Sequence, residues 1–118
     1  MSNPFTFKVK NLIKQIPEGK VTTYGYIAAI AGNPQAARQV ARILHSCSRK
    51  DNLPWHRVVN RNGQISLKHY NGYEIQKQLL EKEGIVFAEN DTIDFDTYLW
   101  LPPNASQRLH RANDEVSI

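Results

Sequence analysis

Two helical periodicities are superposed between Ala36 and Arg49, and together they leave that stretch little choice of structure. Ala36, Ala37, Val40, Ile43, Leu44 and Cys47 recur at helical spacing as one apolar face. Arg38, Arg42, His45 and Arg49 form a basic stripe on the opposite face. The pattern predicts a helix with one side in a core and the other offered to something negatively charged. Asn33-Pro34 upstream reads as an N-cap followed by a proline in the first turn, which places the start of this helix there. Before it, Thr23 reads as the N-cap of a shorter helix carrying Tyr24, Ile27, Ala28 and Ala31, ended by Gly32. Two helices joined by Gly-Asn-Pro form a helix-turn-helix pattern with the basic helix in the recognition position.

The rest of the chain fits around this pair. Asn3-Pro4 caps a first helix with the stripe Phe5, Val9, Leu12, Ile13 and Ile16, closed by the turn Pro17-Glu18-Gly19. A very short strand is expected at Lys20-Val21-Thr22, and a polar loop over 48–54. Pro54-Trp55-His56-Arg57 then leads into Val58-Val59, the start of a buried strand. With Asn62-Gly63 as the turn and 64–67 as the return strand, this reads as a hairpin, the candidate wing. A fourth helix is expected from Asn71, with Glu74 completing a capping box, Ile75, Leu79 and Leu80 facing inward, and Gly84 after its end. Residues 85–87 and 92–96 read as a second hairpin, followed by Tyr98-Leu99-Trp100-Leu101. The fold class is α/β in the mixed α+β sense: a winged helix-turn-helix over residues 1–103, with a polar, flexible tail over 104–118.

At 118 residues the chain has room for one modest core. Its 15 Lys and Arg outweigh 11 Asp and Glu, a mildly basic balance that permits a nucleic-acid partner without demanding one. Distribution says more than the total. Base dominates up to Arg61, while acid gathers at Glu81, Glu83, Glu89, Asp91, Asp94 and Asp96. One cysteine excludes an internal disulfide and suits a reducing cytosol, so a cytoplasmic protein is expected. No apolar run approaches membrane-spanning length, and a monomer without a membrane partner is expected.

Arg38 is the first candidate to touch or enter DNA, since four basic-capable residues share its face. Tyr24 stands at a helix start, where its hydroxyl could meet a phosphate or pack with its tip in water; the residues alone leave both open. Cys47 falls on the apolar face, which favours an inert buried thiol over a nucleophile. His45, His56, His69 and His110 lack paired ligand spacing, so no metal and no cofactor are expected.

Pro54-Trp55-His56-Arg57-Val58-Val59 resembles the Pro-Cys-His-Arg-Val-Val signature of O6-alkylguanine-DNA alkyltransferases. The resemblance extends through 19–25, through 32–40 and to Leu79-Leu80-Glu81-Lys82-Glu83-Gly84, covering roughly residues 5 to 101 in the family's order. It implies the winged helix-turn-helix of the alkyltransferase C-terminal domain. Trp55 stands where the family carries its alkyl-accepting cysteine, and an indole has no thiolate to accept an alkyl group. Tryptophan there, like the Tyr-Leu-Trp-Leu-Pro ending, is similar to the alkyltransferase-like proteins, which bind O6-alkylguanine without repairing it and flag it for nucleotide excision repair.

Carried over residue by residue, the resemblance makes Tyr24 the residue that helps extrude the nucleotide and Arg38 the finger that enters the base stack. Thr23, Gln39 and Arg42 join them as DNA contacts. Trp55, Val59, Lys68 and Tyr24 line the lesion pocket, and the hairpin around Gly63 shapes its rim. His56 and Glu83 match the relay that activates the thiol in true transferases and become structural here. Cys47 takes the place of the family's hinge Asn. The implied partners are duplex DNA containing O6-alkylguanine and the damage-recognition proteins of excision repair. Two other readings stand beside this one. A winged-helix regulator would bind undamaged DNA in a sequence-specific way, and an active transferase using another nucleophile would carry a covalent alkyl adduct.

Overall fold

The computed structural model describes residues 3–103 and residue 105. Helix α1, Pro4–Gln15, starts as its sequence demands: Asn3 Oδ1 accepts the Phe5 N–H at 2.8 Å and Pro4 occupies the first turn. Val9, Leu12, Ile13 and Ile16 are buried, while Phe7 on the other side is exposed. Strand β1 is Thr22–Thr23, and Thr23 also caps α2, Tyr24–Ile30, accepting the Tyr26 N–H at 3.0 Å. Helix α3 is Ala37–Asp51 and packs its Val40, Ile43 and Leu44 face on α1 and α2. Lys10 of α1 meets Asp51 at the end of α3 at 2.8 Å.

The helix α3 begins three residues after the expected Asn-Pro start. Asn33 Oδ1 accepts the Gln35 N–H and the Asn33 carbonyl accepts the Ala36 N–H, so the pair forms a turn. Ala36 is packed into the core and heads the helix without a side-chain cap. At the other end the expected polar loop over 48–54 is half helix. Asn52 adopts the left-handed conformation at φ 52°, and the Leu53 N–H returns to the Ser48 carbonyl at 2.9 Å. Cys47, expected on the core face, is only half-buried at the edge of that cluster.

After a 3-10 turn, Trp55–Arg57, comes strand β2, Val58–Val59. β2 does not open a hairpin. It pairs in parallel with β1, Thr22 opposite Val58 and Thr23 opposite Val59, and Val21 bridges in parallel to Leu99. Successive strand residues point to opposite faces. Val58 therefore joins the core of α1, α2 and α3, while Val59 joins a second cluster with Val21, Leu80, Ile85 and Ile93. The residues expected to form the wing make a side-chain-tied loop. Asn60 Oδ1 accepts the N–H groups of Asn62 and Gln64, and only the Asn60 N–H to Gln64 carbonyl contact resembles a ladder rung. Gly63 holds this loop against the 92–94 segment. Its φ is +73°, its carbonyl accepts the Ile93 N–H at 2.7 Å, and a Cβ there would lie 2.6 Å from the Ile93 carbonyl oxygen.

Helix α4, Tyr73–Lys82, starts after Gly72 at φ 113° and has no capping side chain. Asn71 is not its cap. Glu74 does reach back, accepting the Tyr70 N–H at 2.8 Å. The inward face is only partly the apolar one expected: Leu80 is fully buried as expected and Leu79 is half-buried, but Ile75 is 58% exposed and Gln76, 2% exposed, takes the inward place. The second expected hairpin shrinks to one bridge, Ala88 to Thr92, followed by the short helix α5, Phe95–Tyr98. The expected tail, 104–118, lies outside the described residues except Ala105, which is buried in the first cluster.

Candidate nucleic-acid interface

Helix α3 presents its basic stripe as the sequence ordered it. Arg38, Gln39 and Arg42 are exposed in its first half, and neither arginine has an ion pair among the described residues. Accessible, unpaired guanidinium groups one turn apart can meet successive phosphates or enter a groove.

Beside the stripe lies an open cleft of about 700 Å³. Its walls are Tyr24 at the start of α2, Leu44 and Arg49 of α3, the Leu53–Trp55 corner, Ser66 and Leu67 of the loop after β2, and Gln76 of α4. The volume lies in the range of small-ligand sites. Tyr24 and Ser66 close one rim, their hydroxyl oxygens 3.0 Å apart. Trp55 is half-buried against the first core cluster and also lines a second cavity of about 460 Å³, on the side of Lys14, His56 and Arg57. Among the described residues no carboxylate lines the cleft, and neither does Cys47.

Gln76 fixes the Trp55 turn from behind. Its side-chain amide donates to the carbonyls of His56 at 3.1 Å and Val58 at 3.0 Å. One carbonyl belongs to the 3-10 turn and the other to β2, so a single buried amide ties the two together. The loop carrying Ser66 and Leu67 is anchored to α4 by Glu74, which takes the Tyr70 N–H and His69 Nδ1, the latter at 2.7 Å. Those bonds hold the Glu74 carboxyl below its ordinary range. Tyr73 donates its hydroxyl to Asp91, which pushes the phenol up to about 12 and ties α4 to the 89–91 turn.

His56 and Glu83, which the sequence matches to the family's relay, lie side by side, and other groups share the carboxylate with His56. His56 Nε2 lies 2.7 Å from Glu83 Oε2. Arg57 grips the same carboxylate, Nε at 3.0 Å to Oε1 and a terminal nitrogen at 2.8 Å to Oε2. Its other terminal nitrogen donates to the Ile16 carbonyl at the end of α1, and the Gly19 N–H donates to Glu83 Oε1 at 3.0 Å. Burial alone would raise the Glu83 carboxyl; Arg57, Gly19 and His56 outweigh it and hold it at about 2.

Not every expected site residue reaches the cleft. Thr23, expected as a DNA contact and not as cleft wall, is 3% exposed, and its hydroxyl oxygen accepts the cap bond of α2. Val59 is wholly buried in the second cluster, on the far side of β2 from the cleft, because consecutive strand residues face opposite ways. Lys68 is exposed next to Leu67 but is not part of the wall. Tyr24 and Trp55 are in it. Missed were Ser66, Leu67, Leu53 and Gln76, together with the far half of the basic stripe, His45 and Arg49, as cleft wall. Only the last carried a sequence signal, their helical phase with Arg38.

An exposed basic helix beside an open cleft defines a class of candidate nucleic-acid site, and sequence comparison makes it specific: the chain belongs to the family of 6-O-methylguanine DNA methyltransferase DNA-binding domains, whose model matches residues 4–85. Within it the chain is similar to the alkyltransferase-like members. It is 45% identical over 96 residues to the DNA base-flipping protein of Escherichia coli strain K12, covering 81% of this chain and 74% of that protein. It is 37% identical over 103 residues to alkyltransferase-like protein 1 of Schizosaccharomyces pombe, covering 83% and 95%. The crystal structure of S. pombe Atl1 in complex with damaged DNA containing O6-carboxymethylguanine superposes with a TM-score of 0.76 at 36% identity, covering 86% of this chain and 99% of that one. The mixed fold expected from the sequence is the fold of this family.

Proposed function

We propose that this protein binds O6-alkylguanine in duplex DNA, holds the damaged nucleotide turned out into the cleft, and transfers nothing. The observation that carries the reading is the cleft wall itself. Trp55 stands there within the family's signature, and the chain's one cysteine lies outside it. An indole offers stacking and apolar contact and has no thiolate. The names of the bacterial relative, a base-flipping protein, and of the yeast complex with damaged DNA support the same reading.

Extruding a base costs a few kcal/mol, least when pairing is already weak. An O6-alkyl group removes the N1 proton and weakens pairing with cytosine, so the lesion is the cheaper base to turn out. Tyr24, at the cleft rim, meets the phosphate of the turning nucleotide. Arg38 fills the gap in the stack and slows the return. In the cleft the alkyl group gains contact with Trp55 and Leu53, worth ~0.8 kcal/mol per buried CH₂. Arg42 and Gln39 meet the backbone, which makes binding fall with salt. His56 and Glu83 shape the Trp55 turn and take no part in chemistry. With nothing consumed, the output is a long-lived, reversible monomer–DNA complex, which damage-recognition proteins of nucleotide excision repair then find.

The test is a titration of duplexes differing only by guanine or O6-methylguanine, at fixed salt, with protein mass measured afterwards. Tighter lesion binding, an unmodified mass and an intact lesion are expected. Equal affinities would point to a regulator of undamaged DNA, and a mass gain of one methyl group would mean a transferase.

A further inference from the structure

The basic stripe of α3 is longer than a contact with the duplex needs. Arg38 and Arg42 occupy its first half; His45 and Arg49 lie in the second half and line the cleft. At a rise of ~1.5 Å per residue, Arg49 stands about 16 Å along the axis from Arg38. If Arg38 sits in the base stack, Arg49 is beyond the stack and beside the extruded nucleotide. This inference rests on the proposed function.

The electrostatics of that end of the cleft are one-sided. Arg49 has no ion pair among the described residues, while the nearby carboxylate, Asp51, is held by Lys10 at 2.8 Å. Among the described residues no Asp or Glu lines the cleft. The floor is apolar, made by Leu44, Leu53 and Trp55. Such a site would hold the ring and alkyl chain by contact and leave a free guanidinium at their periphery, a geometry suited to a terminal carboxylate.

We infer that Arg49, seconded by His45, makes this protein selective for O6-substituents ending in an anion over neutral substituents of the same size. Arg49 is then a specificity-determining residue of the lesion cleft, distinct from the arginines that meet the duplex.

The experiment uses four duplexes identical except at one base: guanine, O6-methylguanine, O6-carboxymethylguanine and O6-carbamoylmethylguanine. The last two have nearly the same shape and differ in charge. Affinities are measured at fixed pH and salt for the full chain and for Arg49→Gln. The wild type is expected to bind the carboxymethyl duplex about tenfold or more tighter than the carbamoylmethyl one, in line with a charge-assisted hydrogen bond. Arg49→Gln is expected to bring that ratio close to one while keeping the preference for O6-methylguanine over guanine. A wild-type ratio near one overturns the inference. So does an Arg49→Gln variant that loses affinity equally for all four duplexes, which would make Arg49 a phosphate contact. Absence of any methyl-over-guanine preference in the wild type would instead overturn the proposed function beneath it.

Discussion

Replacing Glu83 by Gln tests the claim that the former relay is a structural node. The carboxylate is held by the Arg57 guanidinium, the Gly19 N–H and His56, and it joins the end of α4 to the turn after α1 and to the Trp55 turn. Burial pushes its pKa up, and these partners lower it further than burial lifts it, from an ordinary 4.5 to about 2. That difference corresponds to roughly 3 kcal/mol of folding free energy at neutral pH. The folded value is the lower one, so the unfolded chain binds more protons between about 2 and 4.5, and stability rises with pH across that window. It is fully present above the unfolded value and is lost as pH falls through the folded one. The amide of the variant could still accept from Gly19 but would leave Arg57 without its countercharge. Urea unfolding of both proteins from about pH 7 down to about pH 2.5 is the assay. A gap of roughly 3 kcal/mol is expected at pH ~7, narrowing below about pH 4.5. A gap that stays constant down to about pH 3, or is under about 0.5 kcal/mol at neutral pH, would refute the electrostatic argument.

Three further outcomes are expected. Arg38→Ala should weaken binding to lesion and undamaged duplexes alike and flatten the dependence on salt; unchanged titrations would remove its role in the stack. Gly63→Ala should destabilise the fold by about 1–3 kcal/mol in denaturant titrations, since φ is +73° and the new methyl meets the Ile93 carbonyl. Gln76→Leu keeps the volume but strips the donor from the His56 and Val58 carbonyls. It should cost about 1–3 kcal/mol and weaken lesion binding by loosening the Trp55 turn; full stability would mean those carbonyls find other donors.

Much of the molecule is legible wherever the signal is local. Asn3-Pro4 gave α1 its start, and the stripe from Val9 to Ile16 gave its buried face. Thr23 was read correctly as the cap of α2, and burial leaves its side chain little of the surface on which it was also expected. Asn33-Pro34 shows the limit of a local rule: the pair that starts α1 makes a turn before α3, since packing of Ala36 moved the helix start. In α4, reading apolar letters chose Ile75, whereas the buried face carries Gln76 because carbonyls distant in sequence accept its amide.

The sequence by itself determined the first three helices, the two-faced character of α3 and the presence of an indole where the family signature has a thiol. Each is written in short-range spacing or in a single position. Tertiary structure decided which residues share the cleft. Tyr24 meets Ser66 across 42 positions, and Arg57 joins Glu83 and Ile16 across 26 and 41, because two parallel strands of two residues bring those segments together. Strands that short leave no periodicity to read, and a parallel pairing leaves no turn between them to announce it.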